Sequence, residues 1–132
     1  MSAVITIRDE TASGQLVAEL SLMLPAACIS MRDLIATRVR FEVEAFNARS
    51  GDEVFRGLVQ PSGAEQVPTG FKLKQRRQVD AQEQVTRALE AFERNGFFVV
   101  VDDRQVDSLD DVVAVRPATR VSFVKLVPLV GG

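Results

Sequence analysis

Five consecutive apolar, β-forming residues, Phe97-Phe98-Val99-Val100-Val101, stand between Asn95-Gly96 and Asp102-Asp103. A run this short and this rich in branched and aromatic side chains is too brief for a helix and reads as a central strand. A central strand needs neighbours on both sides, so the rest of the chain must supply partner strands. It must also supply the helices that its own periodicity shows. Just upstream, Asp80 and Glu83 form a capping-type pair. Val85, Ala88, Leu89 and Phe92 then recur at helical spacing, and Asn95-Gly96 is a stop signal, so a helix is expected over 81–95. Downstream, Asp102-Asp103-Arg104 has turn chemistry, Gln105-Val106 can pair back, and Ser108-Leu109-Asp110-Asp111 resembles the cap of a single helical turn. Arg116 to Thr119 is a turn, and a last strand is expected over 121–127.

The first half supplies the other parts. Val4 to Ile7 reads as a strand that breaks at the polar stretch 9–14. From Leu16 the pattern alternates, with Leu16, Ala18, Leu20 and Leu22 on one face, until Pro25 stops it, so the opening predicts a β-hairpin with one buried face. Ser30 and Asp33 have near-capping-box spacing, and Leu34, Ile35, Val39, Val43 and Phe46 follow at three- and four-residue steps, which predicts a helix over 31–48. Between about 51 and 79, Gly51, Gly57, Pro61, Gly63, Pro68 and Gly70 punctuate short apolar patches. This reads as an insertion whose patches dock on the parent domain or on a second copy of the chain, because a structureless connection of that length is uncommon in a compact domain. The sum is an α+β chain, and at 132 residues with 46% hydrophobic content one domain over 1–132 is the simplest account.

Several function classes are removed by composition. With no histidine and one cysteine, the chain cannot build a Cys/His zinc site, a Ser-His-Asp triad, a Cys-His pair or an internal disulfide. Cys28 could be a nucleophile, but its apolar neighbours offer neither base nor positive charge, so a buried structural thiol is expected. The pairs Asp102-Asp103 and Asp110-Asp111 could serve acid/base or metal chemistry, although solvated turn carboxylates fit their setting better. A net charge of −2 gives no global attraction to nucleic acid or to an anionic membrane. There is neither a long apolar span nor a leader pattern, so cytoplasmic residence is the default expectation. One basic cluster, Lys72 to Arg77, could contact phosphates or an acidic enzyme face, or could be a solvated edge.

Hairpin, helix, strand, short return, single turn and last strand is the element order of the β-grasp fold. From Phe97 to Gly132, about the last 36 residues, the strand, the Arg104-Gln105 return, the Ser108-Leu109-Asp110 turn, the final strand and Gly131-Gly132 arrive at ubiquitin-like spacing. The first 50 residues match more loosely. The chain resembles most the bacterial ubiquitin-like modifiers encoded with E1-, E2- and deubiquitinase-like enzymes, in which an ending such as Phe123 to Gly132 is typical. The resemblance implies a ubiquitin-like β-grasp with an insertion and a second helix between the first helix and the third strand. It also implies a modifier rather than an enzyme. The carboxylate of Gly132 would be adenylated by an E1-like enzyme using ATP and Mg, carried as a cysteine thioester through an E2-like partner, and joined to amines of protein targets. A JAB-type or other deubiquitinase-like peptidase would reverse the isopeptide bond. No cofactor would be bound by the chain itself, and antiviral defence is the process such operons imply.

The residue types suit that chemistry. Two glycines lack a Cβ to obstruct a narrow channel leading to ATP. Pro128 stiffens the approach, and Leu126, Val127, Leu129 and Val130 can anchor the tail 127–132 by extended-chain recognition. Ubiquitin has arginines where Pro128 and Val130 stand, which implies dedicated enzymes. If Gly132 is the native end, no downstream peptide needs removal before activation. Lys72, Lys74 and Lys125 are the only side-chain amines that could receive another copy, with Lys72 and Lys74 favoured. Val121 and Phe123 suit the core, which would send Val124 and Leu126 outward as a partner surface unless the second helix covers them. That helix would add a second layer or an oligomer contact. Two other readings remain open: a β-grasp sulfur carrier, which also ends in Gly-Gly, and a self-assembling domain whose tail is idle.

Overall fold

The computed structural model describes residues 3–49, 54–73 and 78–126. Among them the chain is mixed α+β, with two helices and a mixed sheet of five strands. It divides into two compact units, Met1–Leu34 with Ala91–Gly132, and Ile35–Glu90.

The first unit is organised by its sheet. β1 (Ala3–Thr11) and β2 (Leu16–Leu24) form an antiparallel hairpin, β7 (Phe97–Val101) and β8 (Arg104–Val106) form another, and β10 (Val121–Lys125) lies between them. The order is β2-β1-β10-β7-β8, with β10 parallel to β1 and antiparallel to β7. Alternation along the three inner strands buries Ile5 and Ile7, Val121 and Phe123, and Phe97 and Val99, so one face of the sheet is continuously apolar. Both hairpin turns follow from their residues. At the β1–β2 turn, Thr11 O accepts from Gly14 N and Thr11 N donates to Gln15 O, each at 2.9 Å, and Gly14 takes φ 89°. This is a type I turn closed by a glycine bulge, where a side chain would be strained. At the β7–β8 turn Asp102 and Asp103 have φ 48° and 67°, the left-handed pair that a two-residue hairpin needs.

Two short strands complete this unit. β3 (Cys28–Ser30) pairs antiparallel with β9 (Val112–Ala114), an arrangement absent from the sequence expectation because three residues are too few to display a period. Met31 N and Arg32 N, at the start of α1 (Met31–Ala48), donate to Asp111 O and Leu109 O at 2.8 and 3.0 Å. The polar turn 108–111 thus satisfies amides that a helix start leaves open. It is a turn rather than a helical turn. Ser30 Oγ accepts from Asp33 N at 3.1 Å, as its capping position predicts.

The second unit contains most of both helices and a sheet of its own. β4 (Val54–Phe55), β6 (Gly70–Leu73) and β5 (Ala64–Val67) form three antiparallel strands in that order. The stretch expected as an insertion is therefore structured where it is described, with Phe55, Leu58 and Leu73 buried. Phe55 meets Phe46 of α1 edge-on at 5.4 Å between ring centres. α2 (Ala81–Glu93) is capped by Asp80 Oδ1, which accepts from Glu83 N at 3.1 Å. It stops where Gly96 N donates to Ala91 O at 2.7 Å and Asn95 takes φ 61°.

Candidate functional site

The strongest sequence signal is the stretch that follows the last strand, and the structure describes that strand, β10, and Leu126 after it. β10 is the third of five strands, and its parallel register with β1 aligns Ile7 with Val121 and Thr11 with Lys125. β10 therefore ends, in the middle of the sheet, at the side that carries the β1–β2 turn and the start of β7. Phe123 fixes this strand. It is fully buried and stacks on Phe97 at 5.9 Å between centroids, and Phe97 meets Phe92 at 6.0 Å. Burying a ring of this size stabilises by about 2–3 kcal/mol before any packing gain.

One step further along, Lys125 Nζ lies 3.8 Å from Asp9 Oδ2. The lysine side chain is about one-third exposed and that of Asp9 is nearly inaccessible, so the ion pair sits at the end of β10. The sequence expectation placed Asp9 in the turn and missed this pair. The available signal was phase, since Asp9 follows Ile5 and Ile7 at two-residue steps and so shares their face. Leu126 is 42% exposed, whereas Val124, expected to be exposed with it, is half-buried.

Of the other residues singled out, Val127, Pro128, Leu129, Val130, Gly131 and Gly132 lie outside the described residues, as does Lys74 with the rest of the basic cluster from 74 to 77. Lys72 is described. It is exposed on β6, opposite Val54 on one side and Glu65 on the other. The two lysines therefore differ, Lys125 lying beside the carboxylate of Asp9 and Lys72 being exposed on the central strand of the three-stranded sheet.

Two expectations are corrected. Cys28 is exposed rather than buried, because β3 gives its inward position to Ile29 and strand alternation turns the thiol outward. The apolar face expected from Leu16 onward is buried only at Leu22 and Leu24, while Leu16 to Glu19 are exposed. A register shift between Asp9 and Glu10 explains part of this, since Ala18 faces Asp9 and Leu16 faces Glu10, which leaves Val17 as the extra residue of a bulge. The carboxylates of Asp102, Asp103, Asp110 and Asp111 are exposed, as expected of turns.

An open cleft of about 560 Å³ runs beside the β7–β8 turn and β9, with Asp102, Arg104 and Asp111 among its lining. Among the described residues that line it, none carries a hydroxyl, thiol or amine. Among the described residues no cluster of three or more His, Cys, Asp or Glu is placed to hold a metal ion, and no helix is long and apolar enough to cross a membrane. Comparison with protein-family models, with curated proteins and with solved structures found no match.

Proposed function

We propose that this chain is a ubiquitin-like protein modifier of the β-grasp type, activated at the carboxylate of Gly132 and conjugated to amines of other proteins in the cytoplasm. The observation that carries the reading is the parallel pairing of β1 with β10 inside the order β2-β1-β10-β7-β8. A β-grasp sheet has this arrangement, with the last strand in the middle and the chain leaving it at one end. Phe123 anchors that strand in the apolar face, and three residues later the chain is solvent-exposed at Leu126. A firmly held strand followed by a side-chain-poor Gly-Gly suits presentation of a carboxylate to an adenylating enzyme, because threading then costs little disruption of the fold.

The reading requires Gly132 to carry a free carboxylate, in the native chain or after processing. An E1-like enzyme would form the acyl-adenylate with ATP and Mg. Thioester transfer would follow on E1- and E2-like cysteines, and a deubiquitinase-like peptidase would hydrolyse the isopeptide. The chain itself supplies the nucleophile's target and the recognition surface.

Trypsin tests the idea directly. Its last site is Lys125, so a conjugated lysine should retain the branch Leu126-Val127-Pro128-Leu129-Val130-Gly131-Gly132. That branched peptide is expected in cells expressing the chain with active E1- and E2-like partners and should vanish in a Gly132→Ala variant. Its absence with demonstrably active partners would overturn the proposal.

A further inference from the structure

The two edges of the five-stranded sheet are built differently. β8 is three residues long, carries Arg104 and Gln105, and is bracketed by Asp102-Asp103 and Asp107. Short length and dense charge are the usual means of discouraging a foreign strand. β2, at the other edge, is nine residues long, contains one charged residue, Glu19, lacks proline, and is interrupted only by the bulge at Val17 near its start. Among the described strands only β1 pairs with it. Leu16, Val17 and Met23 are 43%, 59% and 66% exposed. A long, apolar edge with open backbone groups is a template for strand addition.

The sequence of that edge points to its occupant. Leu16-Val17-Ala18-Glu19-Leu20-Ser21-Leu22-Met23-Leu24 is nearly palindromic in polarity about Leu20, with one polar residue on each side of the centre and three apolar residues at each end. An antiparallel two-fold pairing centred on Leu20 sets Glu19 against Ser21 twice and Ala18 against Leu22 twice as a regular ladder, and where the bulge ends that ladder it brings Val17 of each copy beside Met23 of the other. The two most exposed apolar side chains of the strand then cover each other, and no charge faces a like charge. We infer that β2 is a homodimerisation edge. A second copy adds its own β2 antiparallel about Leu20, joining two five-stranded sheets into one continuous sheet of ten strands. This inference does not depend on the modifier reading.

Analytical ultracentrifugation over a concentration series is the test. The natural chain should pass from the 14.5 kDa monomer to a species of twice that mass as concentration rises. Amides of β2 should exchange more slowly in the dimer than in the monomer. Val17→Lys and Met23→Lys replace side chains that are more than half exposed, so both should keep the fold by circular dichroism while weakening the dimer by roughly tenfold or more. Val17→Lys combined with Met23→Glu sets lysine against glutamate across the two-fold and should restore dimerisation. A monomer at every concentration, a dimer indifferent to both single changes, or a double variant that stays monomeric would overturn the proposal. Slowed β2 exchange that requires an added unrelated extended peptide would assign the edge to a foreign strand and overturn it as well.

Discussion

The two compact units are stabilised by different means. In the unit of the five-stranded sheet, the buried side chains of the inner strands are aromatic and aliphatic apart from Asp9, and the polar ties other than Asp9–Lys125 lie mainly at turns and helix starts. In Ile35–Glu90, Phe46, Phe55 and Leu73 are equally buried, but polar side chains enter the interior and hold backbone groups. Asn47 Nδ2 donates to Val79 O at 3.0 Å while Asn47 Oδ1 accepts from Val79 N at 2.9 Å, closing a two-bond clamp on the residue just before the α2 cap. Gln84 Nε2 donates to Val59 O at 3.0 Å. Arg38 is fully buried and pairs with Glu42 at 3.0 Å within α1. Where strands are long and regular, backbone ladders and apolar burial suffice. Where strands are two to four residues long, loops pass close to the core and their amides need side-chain partners.

Losses in the sheet unit should therefore scale with apolar volume, and this is where the largest single effect lies. Phe123→Ala removes a ring stacked on Phe97 at the centre of the sheet and should cost about 3–5 kcal/mol in urea unfolding. Phe123→Leu, which keeps most of the volume, should cost clearly less. If the two variants were equally destabilised, apolar packing would not be what holds β10.

In the other unit the sign of a change should depend on whether it removes one polar partner or both. Glu42→Leu removes the carboxylate that the buried Arg38 Nε donates to at 3.0 Å and should cost about 2–4 kcal/mol. Arg38→Met with Glu42→Leu removes both charges and should recover much of that loss, a coupling that a double-mutant cycle reads directly. Additive losses would mean that the ion pair contributes nothing specific and that the contrast between units is one of composition only.

The Asn47 clamp sharpens the comparison at a smaller magnitude. Asn47→Ala strands the buried N–H and C=O of Val79 together and should cost about 2 kcal/mol. Asn47→Asp keeps the acceptor for Val79 N and loses only the donor for Val79 O, so hydrogen exchange at the Val79 amide should remain slower in this variant than in Asn47→Ala.

The same contrast explains what could be read from the residues alone. α1, α2, β7 and β10 were legible because each displays a period or a run longer than its own turn, and their caps Ser30, Asp80 and Gly96 carry local chemistry. The three-stranded sheet, β3 and β9 were not, because strands of two to four residues have no measurable period and their pairing is set by tertiary contacts. Cys28 was misplaced for a related reason, as residue type suggests burial but a three-residue strand has one inward position and Ile29 takes it. At the candidate site, the exposure of Leu126 followed from alternation, whereas the Asp9–Lys125 pair required knowing that β1 and β10 are parallel neighbours. No spacing along the chain reveals that adjacency.

The smallest effects should come from twin aspartates whose backbones are alike and whose side chains are not. Asp102 and Asp103 both adopt positive φ at the β7–β8 turn, a conformation glycine takes without the Cβ penalty. Asp102 is also tied to the start of β10, its amide donating to Arg120 O at 2.9 Å and its Oδ1 accepting from Arg120 N at 2.9 Å. Asp102→Gly keeps the first bond, loses the second and relieves the backbone, so its net cost should be about 1 kcal/mol. Asp103→Gly gives up no described side-chain bond and should be neutral or stabilising by about 0.5 kcal/mol, the backbone relief being partly offset by a freer unfolded chain. The melting temperature of Asp102→Gly should therefore fall below that of the natural protein, and that of Asp103→Gly should not. A rise in melting temperature for Asp102→Gly would show that backbone strain at this turn outweighs the Arg120 tie, making the sheet unit less dependent on polar contacts than the position of Asp102 implies.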